Sequence, residues 1–136
     1  LGQAIDMLAR LQGEYQRRFI PPLTRANPDP PAEALAQARE IEATRQALSD
    51  IETHIRGMSV PTQDRTWWRF RQEQMLLGQL LNFDLALVHG CEEVYQYVAQ
   101  LTPEGWNSQE SAALGQLMQR VSNIARERER FLLIPM

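Results

Sequence analysis

The chain has 136 residues, 43% of them hydrophobic, which suits one domain with a real core and excludes wholesale disorder. A formal net charge of −3 argues against a dedicated nucleic-acid binder, which carries a basic surplus. A single cysteine, Cys91, excludes an internal disulfide and makes a cytoplasmic location the simplest expectation.

All 14 basic residues are arginine, which reads either as coding bias or as dense pairing with carboxylates. No transmembrane segment is expected: the most apolar stretch, residues 75–88, is short and broken by Gln79, Asn82 and Asp84. The sequence opens at Leu1 already in helical rhythm, so residues 1–136 are expected to be one helical domain excised from a larger protein, or a processed product.

Four periodic segments follow one another, and more than about 70% helix is expected, against an ordinary base rate near one-third. The first spans residues 2–20, with Ile5, Leu8, Leu11, Tyr15 and Phe19 on one stripe and Asp6, Arg10, Glu14 and Arg17 on the other. Pro21 and Pro22 stop it, and a proline-rich crossing leads to a second helix opening at Asp29 or Pro31. There Ile41, Thr44, Leu48, Ile51, Ile55 and Met58 alternate by three and four, the narrow seam of a coiled coil.

A third helix begins at Asp64 or Thr66 and runs to residue 101, about 50 Å against about 30 Å for the first. It must overhang its neighbours or bend, with Gly90 as the expected bend point. Its apolar arc, from Leu76 and Leu77 through Leu87 and Val88 to Val94 and Val98, is wide enough to need partners on more than one side. Asn107 or Ser108 caps a fourth helix that buries Leu114, Leu117, Val121, Ile124 and Phe131. Short connections favour antiparallel neighbours, so the expected fold is an all-α, up-down-up-down four-helix bundle around a long central third helix, with both chain ends at one end.

Chemistry-bearing residues are sparse. His89 with Glu92 and Glu93, and Asp50 with His54, have ligand spacing, but helical phase puts both histidines on outer faces, so no metal is expected. Cys91 falls inside the apolar arc, two residues from His89, and such neighbours do not face each other on a helix. No glycine-rich phosphate loop exists. No catalytic residue and no cofactor is therefore expected, and the chain does not read as an enzyme.

Two features stand out. The segment Arg65-Thr66-Trp67-Trp68-Arg69-Phe70-Arg71 concentrates aromatic and basic residues; it reads either as a hydrophobic plug meeting Met58, Val60, Phe131 and Leu132, or as an interaction surface. Wheel projection turns Trp67 and Trp68 away from the apolar arc, whereas Phe70 has core phase. The second is Asp84, in the middle of that arc between Leu80, Leu81, Leu87 and Val88. Antiparallel pairing brings it within a turn of Arg128, a core position between Ile124 and Phe131, and a buried carboxylate needs such a partner. The pair reads as a registry device or oligomer contact, or as a ligand site.

The leading expectation is a non-catalytic interaction or dimerisation module of a regulatory or scaffolding protein, with self-association the expected partnership. The alternative is a small-molecule-sensing bundle of a signalling protein, with the ligand at Asp84 and Arg128.

Overall fold

In the computed structural model, residues 2–19, 30–57, 65–101 and 107–133 are described. Helices α1 (Gly2–Arg18), α2 (Pro30–Arg56), α3 (Arg65–Gln100) and α4 (Ser108–Leu132) take in 95% of them, and there is no strand among them.

Each helix buries the face its periodicity marks. Leu8, Tyr15 and Phe19 of the α1 stripe are buried and Ile5 and Leu11 partly so; Ile41, Thr44, Ile51 and Ile55 of the α2 seam are buried and Leu48 partly so. The polar member of that seam is satisfied locally, since Thr44 Oγ1 donates to the Glu40 carbonyl at 3.0 Å. The seam's last member, Met58, lies outside the described residues. Asn107 starts α4 by accepting the Glu110 amide on its side-chain oxygen at 2.7 Å, which satisfies an otherwise orphaned donor of the first turn.

Cross-helix bonds fix the directions. Arg45 donates to Asn82 at 2.8 Å and Arg71 to Glu52 at 2.5 Å, so α2 runs antiparallel to α3. Arg120 meets Glu93 at 3.2 Å and the Tyr97 hydroxyl reaches the Glu110 carbonyl at 3.5 Å, so α4 runs antiparallel to α3 on another side. Ile5 shares a surface hollow with Arg65 and Phe70, and Tyr15 bonds Asp84, so α1 runs parallel to α3. The result is an up-down-up-down helical bundle in which α3 packs extensively on both α2 and α4, while α1 lies mainly on α2.

The unequal lengths divide the core. At 1.5 Å per residue the 36 residues of α3 span about 54 Å, and the 25 of α4 only about 38 Å. One cluster gathers α1, α2 and the first part of α3 around Leu8, Ile51, Phe70, Leu77 and Leu81. The other joins Leu87, Cys91 and Val94 of α3 to Leu114 and Val121 of α4. Starting opposite Tyr97, α4 runs out beside Phe83, whose ring is 5.5 Å from that of Phe131. The last described turn therefore sits beside the middle of α3, whereas α1 starts beside Phe70. The chain ends themselves, Leu1 and residues 134–136, lie outside the described residues.

Gly90 has a packing role in a helix that continues unbroken through it. It is buried against α4, and a Cβ there would lie 2.8 Å from Val121 Cγ2. Among the described residues, no helix is long and apolar enough to cross a membrane.

Candidate functional site

Asp84 is fully buried between the two core clusters. Charge in such a place is tolerable only if its lone pairs are answered, and two neighbouring helices answer them. From α4, Arg128 Nε donates to Oδ1, and an Nη2 contact of 3.5 Å reaches Oδ2. From α1, the Tyr15 hydroxyl donates to Oδ2. The Arg128 guanidinium lies 5.9 Å from the centre of the Phe19 ring, which stacks on Tyr15 at 5.5 Å. Aromatic faces thus shelter a cation whose side chain is 21% exposed.

The electrostatics follow from burial. Desolvation pushes the Asp84 carboxyl above the ordinary 3.8, and the bonds from Arg128 and Tyr15 offset part of that rise. Burial, together with the neighbouring Asp84, also pushes the Tyr15 phenol far up, so it stays protonated and acts as a donor. A buried tyrosine commonly finds a partner for its hydroxyl. That rule was the available pointer to Tyr15, which the sequence placed only on the α1 core stripe. Both Asp84 oxygens are engaged, so a small molecule would have to displace Tyr15 or Arg128 to touch them.

The aromatic and basic segment divides within one turn. Trp67 is partly buried against the first core cluster, its ring 6.1 Å from Phe70 and under the Arg71 guanidinium at 5.6 Å. Its indole reaches back to the core although its backbone phase points aside, which corrects the wheel projection. Trp68 is 59% exposed. Arg65 and Arg69 are exposed, with Arg69 3.5 Å from Glu73. Of the plug residues expected from α4, Phe131 packs on Phe83, thirteen residues up the helix from Phe70, and against the first core cluster, while Leu132 is half exposed. Met58 and Val60 lie outside the described residues.

Arg71 opens a polar network that sequence reading did not single out. It donates to Glu52 and, at 2.8 Å, to Gln74, while Gln74 donates to Glu52 at 2.7 Å. Burial raises the Glu52 carboxyl, but the bonds from Arg71 and Gln74 outweigh it and hold the group below its ordinary range. The signal was Gln74, a polar residue at core phase, which needs partners once buried. This network forms one wall of a shallow groove of about 490 Å³ between α2 and α3, floored by Leu48, Gly78 and Leu81 and edged by Met75.

The α3 apolar arc is covered within the chain from Leu77 to Val94; Val98, at its far end, is 40% exposed. His89 lies 3.7 Å from Glu92 on an exposed face, and Cys91 is buried in the second cluster. Among the described residues, no three of His, Cys, Asp and Glu gather as a metal ion would require. No family model matches the chain, and neither a curated protein nor a solved structure matches it. Function is therefore read from the geometry of the chain itself.

Proposed function

We propose that this chain is a non-catalytic helical interaction module of a regulatory or scaffolding protein, and that it associates with itself. The observation carrying this reading is the outer face of α3. Trp68 and Met75, two turns apart on one side of α3, are 59% and 64% exposed, and Met75 edges the groove between α2 and α3. Tryptophan, methionine and arginine are the residue types enriched in interface centres, and Arg71 and Arg45 border the same groove. A broader argument, that α3 has too much apolar arc for its partners, loses force because most of the arc is covered within the chain.

Light scattering across a concentration series tests this. Wild type is expected to rise toward twice the chain mass, and Trp68→Glu with Met75→Glu to return it to monomer. A wild-type monomer at every concentration would overturn the self-association reading. Small-molecule sensing at Asp84 and Arg128 ranks second, because a ligand would have to break bonds already made there.

A further inference from the structure

The attachment of α4 changes along its length. From Leu114 to Ala125 its inward residues pack on the second cluster. Past Ala125 only Arg128 and Phe131 are partly buried among the described residues, while Arg126, Glu127, Glu129 and Arg130 are exposed, as are Leu132 and, at 82%, Leu133. Arg128 is anchored on Asp84 and Phe19, and Phe131 on Phe83. Below them the packing is incomplete. A cleft of about 170 Å³ separates Leu76 and Leu80 of α3 and Gln12 and Gln16 of α1 from Phe131 and Leu132.

We propose that residues 126–133 form a strap that opens as a unit over this cleft, pinned by Arg128 on Asp84, while the earlier turns of α4 stay in place. Segments with few buried contacts open locally at a fraction of the global unfolding free energy. This segment has two inward anchors and a void beneath it. One anchor is shared: Asp84 also holds Tyr15, and Phe19 lies against Arg128 and Tyr15. Opening the strap therefore loosens the end of α1 as well, so a pull on the end of α4 is felt at α1 through a single buried carboxylate. Opening also bares Leu76 and Leu80.

Hydrogen exchange on the full chain, read by mass spectrometry, tests the device. Wild-type amides of residues 126–133 are expected to exchange together and faster than those of residues 110–124. Arg128→Gln removes a charged hydrogen bond, so exchange should quicken about ten- to a hundredfold in residues 126–133 and 15–19. Residues 70–81 should keep their wild-type rates. Phe131→Ala, which leaves the Asp84 bonds intact, should quicken residues 126–133 alone. Equal wild-type rates along all of α4, or an Arg128→Gln effect spread evenly over the four helices, would overturn the proposal.

Discussion

Asp84 is a carboxylic acid enclosed by the fold, and pH reads out that enclosure. Its folded pKa lies above the 3.8 of an ordinary aspartate, so between those values the folded state holds more protons than the unfolded one. Unfolding free energy then falls as pH rises through that window. Glu52 behaves oppositely. Its folded pKa lies below 4.5, so its contribution is present above that value and is lost as pH falls through the depressed one. Denaturant titrations of wild type against Asp84→Asn and Glu52→Gln separate the two. Stability relative to Asp84→Asn is expected to decline as pH rises from about 3.8, and stability relative to Glu52→Gln to climb over the acid range. Parallel slopes for the two comparisons would contradict these environments. Asp84 was legible in the sequence because a charge amid leucines violates helical patterning, whereas Tyr15 obeys that patterning and so gave no warning.

At the scale of elements, helix existence was legible from the 3.6-residue period, and the four starts and the ends of α1 and α3 fall within two residues of the sequence-based ones. What periodicity cannot state is the offset of one helix along another. Nothing in the α4 sequence says that Phe131 comes to lie beside Phe83. Close approach is equally hidden. Gly90 and Gly78 both sit in α3, yet Gly90 faces Val121 with no room for a methyl, while the nearest contact of a Gly78 Cβ is Leu48 at 3.7 Å. Gly78→Ala should therefore stabilise by up to about 1 kcal/mol through helix propensity. Gly90→Ala should destabilise, because overpacking of about 1–3 kcal/mol opposes the same gain. Thermal or denaturant unfolding of the two variants decides it, and equal responses would mean that α3 and α4 are further apart than described.

Among the described residues, two core clusters share one long helix, with α1 and α4 meeting over that helix at Asp84. The residues of the junction come from positions 15, 84 and 128, so their meeting depends on the register of α1, α3 and α4 together. Asp84→Ala alone should destabilise by about 3–5 kcal/mol, because it leaves a partly buried guanidinium without its counter-charge. Replacing both Asp84 and Arg128 with residues of leucine size should cost far less, since each charge is desolvated and only partly repaid by the other. A double-mutant cycle on Asp84 and Arg128, measured by denaturant unfolding, is the most direct test of this arrangement. The expected coupling is above about 1.5 kcal/mol, as for hydrogen-bonded charges shielded from water. Coupling below about 0.5 kcal/mol, the value for independent sites, would mean that Arg128 does not meet Asp84.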